Sequence, residues 1–94
     1  LVLDLSEVIW IEAEDYYAAI HGRARRYLVR ESLASLESRL NPTRFVRIHR
    51  SAIVNLDFVR QVGESSVLLR NGAELPVSRR RRELLAEAIR RFAG

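Results

Sequence analysis

The chain has 94 residues, which is enough for one small domain but too few to enclose a large catalytic cleft as well. It contains no cysteine, so disulfides, thiolate metal sites and thiol nucleophiles are excluded. Its net charge is +4 and its sequence pI is about 10.6, a basic balance that favours polyanionic partners.

The charge is unevenly distributed along the chain. Residues 1–15 contain five acidic residues and no basic one, whereas residues 16–94 contain all sixteen basic residues and seven acidic ones. All sixteen are arginine, whose planar guanidinium group makes bidentate contacts with phosphates and with guanine edges. The nucleotide composition of the genome is an alternative cause of this arginine usage.

No apolar run approaches the roughly 20 residues needed to span a bilayer, and no secretory signal pattern opens the chain. We therefore expect a soluble, cytoplasmic protein with no membrane partner, which the absence of cysteine also fits. Because the first residue is Leu1 and not Met, we expect residues 1–94 to be one domain of a longer polypeptide.

The first third of the chain predicts antiparallel strands in a meander. The β-prone runs cover residues 1–5, 8–11, 17–21 and 26–29. Residues 13–16 predict a tight loop, and Gly22 marks the following turn.

A short helix is predicted near residues 32–40. Leu33, Leu36 and Leu40 recur at intervals of three and four residues, and the serine before them can cap the first amides. The Asn-Pro pair at residues 41–42 ends the run. This helix is expected to cover one face of the sheet.

Residues 45–55 are the most informative stretch. Apolar residues alternate with polar ones at first, and the alternation breaks near Arg50, which predicts a strand that leaves for a loop with Arg50 at the corner. Arg44, Arg47 and Arg50 are expected to form one basic cluster. A segment held by buried residues and lined with cations suits contacts with phosphates or base edges.

The next part of the chain predicts a second group of strands. Residues 56–70 contain two β-prone runs separated by a turn at Gly63. Asn71-Gly72 predicts a type I′ hairpin, which needs positive φ at both central residues. We therefore expect residues 73–77 to pair back on residues 66–70.

A C-terminal helix is predicted near residues 79–92, with Ser78 as its N-cap. One helical face carries the apolar residues that we expect to pack inward, namely Leu84, Leu85, Ala88, Ile89 and Phe92. The four arginines at 79–82 occupy the first turn, where the helix dipole disfavours cations. An external anion would explain this placement.

The sequence predicts neither an enzyme nor a bound cofactor or metal. His49, Ser51 and Asp57 form a nominal hydrolase set, but the chain lacks a Gly-x-Ser-x-Gly elbow. Two histidines without cysteine leave no credible zinc site, and the acidic residues at 12–15 lack the spacing of a calcium loop. The residues alone favour a basic α+β domain that binds nucleic acid, either DNA or RNA. A protein-interaction or dimerisation module with a solvated arginine surface is the alternative.

Several segments carry a resemblance to a known family, and they follow one another in the family's order. They are residues 9–13 with Tyr17, 27–30 with 32–33, 45–51 with 53–56, 71–72 and 75–80. Ala52 stands where the family commonly has an aromatic residue. In these segments the chain resembles the LytTR family of DNA-binding domains, most specifically in His49-Arg50-Ser51 with its Val-Asn tail. The resemblance implies a mostly β (α+β) fold that serves as the output domain of a bacterial two-component response regulator.

The resemblance also implies how the domain binds. Members of the family insert loops into successive major grooves of double-stranded DNA at direct repeats, so we expect pairs of protomers on promoter DNA and an upstream regulatory domain. The residues expected to contact bases are Tyr16, Arg50 and Arg80. Those expected to contact the DNA backbone are Arg47, Ser51, Arg79 and Arg82. Those expected to shape the loop by hydrogen bonds are His49 and Asn55.

Overall fold

The computed structural model describes residues 3–93, and within that range it contains eight strands and two α-helices. The strands are β1 (Val8–Glu14), β2 (Tyr17–Gly22), β3 (Arg26–Val29), β4 (Phe45–His49), β5 (Ala52–Asn55), β6 (Val59–Val62), β7 (Ser66–Leu69) and β8 (Glu74–Pro76). The helices are α1 (Leu33–Arg39) and α2 (Arg82–Ala93). Short 3₁₀ turns occupy Leu5–Glu7, Leu56–Phe58 and Arg79–Arg81.

The strands form two antiparallel sheets. The larger sheet has the order β3-β2-β1-β5-β4, and the smaller has the order β6-β7-β8. The predicted meander therefore describes β1 to β3 and β6 to β8, while the β4–β5 hairpin joins the larger sheet through a pairing of β5 with β1. The mostly β (α+β) class with antiparallel sheets, a short helix and a C-terminal helix is confirmed.

The larger sheet is buried on both faces around β1, β5 and β4. On one face, Leu33 and Leu36 of α1 pack against a cluster that includes Ile53. On the other face, the smaller sheet and Leu85 of α2 pack against a cluster that includes Ile48. All four residues of β5 are buried, which explains why its first three residues are small or β-branched without polar alternation. The fourth, Asn55, is polar and buried.

Helix α1 forms where the leucine spacing predicts it. The Ser32 hydroxyl accepts a hydrogen bond from the Ser35 amide at 3.0 Å, so this side chain caps the first turn. Among residues 3–93, neither helix is long and apolar enough to cross a membrane.

Two predictions near the start of the chain are wrong. Residues 3 and 4 have no regular structure and Leu5–Glu7 is a 3₁₀ turn, because the Asp4 carboxylate accepts hydrogen bonds from the Ser6 amide and hydroxyl. Residues 1 and 2, which belong to the same predicted strand, lie outside the described residues. The predicted loop at 13–16 is shorter than expected, since β1 continues to Glu14 opposite Tyr17 and only Asp15 and Tyr16 form the turn.

The hairpin at Asn71-Gly72 is confirmed, but its turn is not type I′. Gly72 has a φ of 93°, whereas Asp15 is the sole non-glycine residue among the described ones with positive φ. The Leu69 carbonyl accepts from the Gly72 amide at 3.0 Å, and the Leu69 amide donates to the Ala73 carbonyl at 2.8 Å. These bonds close a three-residue loop in which only the last position needs glycine.

Replacing Gly72 with alanine is expected to lower the free energy of unfolding by about 1 to 2 kcal/mol, because an L-residue is strained at this φ. No atom lies within 4 Å of the added Cβ, so the loss is conformational and not a steric clash. Gly63→Ala is the matched control, since its added Cβ makes an ordinary 3.4 Å contact with the Ser66 carbonyl. Urea unfolding of both variants measures the difference, and equal losses would contradict the assignment of strain to Gly72.

The C-terminal helix is confirmed, although residues 79–81 form a 3₁₀ turn before α2 begins at Arg82. Leu85 is buried, but Leu84 is 61% exposed and Phe92 is 40% exposed, so the prediction that both pack inward is wrong. The helix contacts the core through a narrower stripe than the sequence predicts. Ser78 stands at the N-cap position, yet its side chain makes no capping hydrogen bond.

Candidate nucleic-acid interface

The sheet order brings the turn after β1 next to the turn before β5. Because β1 pairs antiparallel with β5, the last residues of β1 lie beside Ala52. The Ala13 amide donates to the Ser51 carbonyl at 2.9 Å. The Asp15–Tyr16 and Arg50–Ser51 turns are therefore neighbours at one end of the larger sheet.

The arginine-rich segment before α2 reaches the same end. The Ser78 amide donates to the Ile48 carbonyl at 2.9 Å, which fixes the start of residues 79–82 beside the end of β4. Helix α2 then runs back along the sheet, so that Phe92 lies 5.7 Å from the Arg44 guanidinium at the opposite end. We call Asp15–Tyr16, Arg50–Ser51 and Arg79–Arg82 together the three-turn surface.

The first turn of this surface exposes an aromatic ring. Asp15 has a φ of 55°, a conformation that aspartate tolerates better than most residues, and this lets two residues close the hairpin. Tyr16 is 82% exposed. The Glu14 carboxylate lies 2.9 Å from the Arg26 guanidinium, so this acid is partly neutralised by its own chain.

The second turn is held by hydrogen bonds from its own residues. His49 Nδ1 accepts from the Ser51 amide at 3.2 Å and lies 2.8 Å from the Ser51 hydroxyl. A nitrogen that accepts from an amide carries no proton, so this geometry assigns the proton of neutral His49 to Nε2. The pairing of β4 with β5 shifts register between Arg47 and His49, which bends the strand just before Arg50.

The guanidinium group of Arg47 is directed toward acceptors within the domain. Its Nε donates to the His49 carbonyl at 3.0 Å, and one terminal nitrogen donates to the Arg50 carbonyl at 2.7 Å. The other terminal nitrogen lies 3.2 Å from the Glu37 carboxylate of α1, and the side chain is only 14% exposed. The expectation that Arg47 contacts the DNA backbone stays a prediction, and these bonds favour a role within the domain instead.

The predicted cluster of Arg44, Arg47 and Arg50 does not form. Arg44 precedes β4 and forms an ion pair with Asp57, while Arg50 follows β4 at the other end. At roughly 3.3 Å per residue, the two ends of this segment are roughly 20 Å apart. Arg47 contacts the main chain of Arg50, but the extended strand separates Arg44 from both.

The arginines of the three-turn surface keep their donors free of the rest of the chain. Within residues 3–93, the side chains of Arg50, Arg79, Arg80 and Arg82 make no hydrogen bond or salt bridge, and all four are exposed. At the far end of α2, Arg90 by contrast binds Glu87, and this hydrogen bond lowers the pKa of the Glu87 carboxyl. The cations at the start of the helix thus remain available to an external anion.

Asn55 lies at the opposite end of β5 from the Arg50–Ser51 turn. It is 1% exposed, its amide nitrogen donates to the Val8 carbonyl at 2.7 Å, and its oxygen accepts from the Asp57 amide at 3.0 Å. These bonds join β1 to the connection after β5. Of the two residues expected to shape the loop, His49 bonds within the turn that carries Arg50, and Asn55 bonds elsewhere.

The contact between Glu37 and Arg47 was missed in the sequence. The two residues are ten positions apart, and they belong to different elements, Glu37 to α1 and Arg47 to β4. The available signal was the alternation of β4, since Arg47 shares a sheet face with Phe45, which packs in the cluster covered by α1. Among the described residues, no group of three histidine, cysteine or acidic side chains could hold a metal ion.

A β-rich domain whose guanidinium groups, unpaired within residues 3–93, come from two turns at one end has the features of a nucleic-acid-binding protein. A family model for the LytTr DNA-binding domain matches residues 1–90, and the chain belongs to this family. Membership identifies the chain as a DNA-binding domain and favours that interpretation over an interaction module. The family is one of DNA-binding domains.

Individual relatives agree with this assignment. The chain is 37% identical to the heme-containing CO-sensing transcriptional regulator RcoM 1 of Paraburkholderia xenovorans, over 95% of this chain and 36% of that protein. It is 35% identical to the transcriptional regulatory protein LytR of Staphylococcus aureus, over 83% of this chain and 34% of that protein. The chain thus spans about a third of the length of these relatives.

A solved structure has the same fold. It is the LytTr DNA-binding domain of a putative methyl-accepting/DNA response regulator from Bacillus cereus, with a TM-score of 0.85 and 24% sequence identity. The match covers 95% of this chain and 86% of that one.

Proposed function

We propose that the chain binds double-stranded DNA in a sequence-specific manner, with the three-turn surface as its contact surface. The observation that carries this proposal is the meeting of three turns, distant in sequence, at one end of the larger sheet. Arg50 and Arg80 read base edges in major grooves, where a guanidinium group matches the two acceptors of guanine. Tyr16 supplies a third base contact from the neighbouring turn.

The dimensions of the molecule limit how much duplex one domain covers. Its longest extent is 33 Å. One turn of B-DNA measures roughly 34 Å, so a single domain covers no more than about one helical turn. Ser51, Arg79 and Arg82 contact phosphates beside the bases and fix the register of the domain on the duplex.

Phosphate binding also accounts for a locally unfavourable feature. Three consecutive arginines form the 3₁₀ turn and a fourth begins α2, where the positive end of the helix dipole repels cations. A phosphate beside these side chains offsets the repulsion. DNA affinity therefore falls as salt rises, because bound phosphates release their counterions.

Replacing Arg79 with alanine is expected to weaken binding to all duplexes alike. One lost phosphate contact lowers the slope of log affinity against log salt by about 0.9. Titrations at several salt concentrations, on the duplex that the wild-type chain enriches from a random pool and on a scrambled version, measure both effects.

Arg90→Ala is the matched control, since it removes the same charge from the far end of α2, where Arg90 binds Glu87. We expect it to leave the slope nearly unchanged. Equal changes of slope in the two variants would show that net charge matters and position does not, and would contradict the assignment of Arg79 to the contact surface.

The wider role follows from the family. We propose that the chain is the cytoplasmic output domain of a bacterial transcriptional regulator, preceded by a regulatory domain and bound as pairs of protomers at direct repeats in promoters. The name of LytR, a transcriptional regulatory protein, supports this role. The two-component system stays a prediction, because the name of RcoM 1 describes a heme-containing CO sensor instead.

A further inference from the structure

We propose that Arg47 is a positioning residue that fixes the main chain of the Arg50 turn, with Glu37 of α1 as its anchor. The proposal rests on the proposed function, since it concerns how Arg50 is presented to DNA. In this role Arg47 binds groups within the domain and does not contact a DNA phosphate.

The side chain of Arg47 donates hydrogen bonds to two successive main-chain carbonyls. Arg47 Nε donates to the His49 carbonyl at 3.0 Å and a terminal nitrogen donates to the Arg50 carbonyl at 2.7 Å. The register shift between β4 and β5 at this point interrupts the regular ladder of main-chain hydrogen bonds. The guanidinium group adds donors to the two carbonyls that follow this irregularity.

The third contact ties the turn to another element. The Glu37 carboxylate lies 3.2 Å from the remaining terminal nitrogen of Arg47, and α1 is itself fixed by the burial of Leu33 and Leu36. With donors directed to three acceptors, the group has a fixed orientation. Lysine offers a single ammonium group on a flexible stem and does not reproduce this planar fork.

A fixed turn matters because base recognition depends on small displacements. A bidentate contact with guanine needs both nitrogens of Arg50 within hydrogen-bond distance at once. If the carbonyl of Arg50 is released, the side chain samples more positions and this contact weakens. Phosphate contacts, which depend on charge, tolerate such motion better.

Arg47→Lys and Arg47→Gln test the proposal. We expect both variants to lower discrimination between the enriched and the scrambled duplex by about tenfold, the range of one base contact, with the salt slope unchanged. Glu37→Ala is expected to lower discrimination in the same direction by a smaller factor. Arg44→Gln is the matched control, since it removes an ion-paired arginine at the opposite end of β4 and leaves discrimination intact.

If Arg47 instead contacts a phosphate of the DNA, the same variants are expected to give different salt slopes and discrimination. Arg47→Gln would then lower the salt slope by about 0.9 with discrimination kept, and Arg47→Lys would bind like the wild type. Glu37→Ala would tighten binding to both duplexes alike, because it removes a competing carboxylate. Any of these outcomes overturns the proposal.

If the Arg47 variants unfold, Glu37→Ala still tests the proposal. Its side chain is 45% exposed, so Glu37→Ala is expected to fold, and thermal unfolding checks this for each variant. Binding by the wild-type chain distinguishes a failure of the proposed function from a failure of the role proposed for Arg47. If the wild type itself does not discriminate between duplexes, the proposed function fails; if it does and the variants discriminate equally well, only the role of Arg47 fails.

Discussion

Replacing Arg50 with alanine is expected to cost about 1 to 3 kcal/mol of binding free energy on the enriched duplex. The loss on a scrambled duplex is expected to be much smaller, because the contact proposed for Arg50 is with a base edge and not with a phosphate. Arg50 is exposed, and its side chain is unpaired among the described residues, so no interaction within the domain is broken. Binding titrations on both duplexes measure the two losses.

The controls for Arg50 come from the same chain. Arg80→Ala is expected to behave like Arg50→Ala, since it lies on the same surface, and to relax the preference at a different base. Arg23→Ala removes an arginine at the opposite end, where the Arg23 amide bonds to the Glu7 carbonyl, and is expected to leave discrimination unchanged. Equal losses on both duplexes for Arg50→Ala would reject its role in base reading.

Replacing Asn55 with alanine is expected to lower the free energy of unfolding by about 2 to 4 kcal/mol, since it leaves two main-chain groups without a partner. The Val8 carbonyl and the Asp57 amide both bond to the Asn55 side chain, which is buried at the junction of β1 and β5. Thermal or urea unfolding measures the loss.

Asn41→Ala is the control for this substitution. The Asn41 side chain also accepts from an amide two residues ahead, that of Thr43, but it is exposed to water. We expect a loss of no more than about 0.5 kcal/mol there, because water replaces the lost partner. A similar loss in both variants would show that burial does not set the cost at Asn55.

Local patterns in the sequence were sufficient for most of the elements. Leucine spacing and a capping serine place α1, and β-prone runs between turn residues place most strands, because these signals act over a few neighbouring residues. The strand and turn at 45–50 were also predicted, because the alternation breaks where β4 ends at His49. Strand β5 was not predicted, since its burial on both faces removes the apolar–polar alternation.

Features that depend on distant residues were not predictable in this way. The pairing of β5 with β1 joins segments about forty residues apart, and this pairing brings Asp15–Tyr16 to Arg50–Ser51. The separation of Arg44 from Arg50 follows from the extension of β4, and the role of Arg47 depends on α1. The exposure of Leu84 reflects how narrowly α2 meets the core, which helical periodicity does not reveal.

DNA is proposed to bind at the end of the larger sheet where the three turns meet. Two-dimensional NMR of the chain titrated with the enriched duplex tests this location residue by residue. We expect the amide signals of Asp15–Tyr16, Arg50–Ser51 and Arg79–Arg82 to shift most, and those of Arg23 and Asn71–Gly72 at the opposite end to stay in place. Shifts concentrated at Arg23 and Asn71–Gly72, with the three-turn surface unaffected, would contradict it.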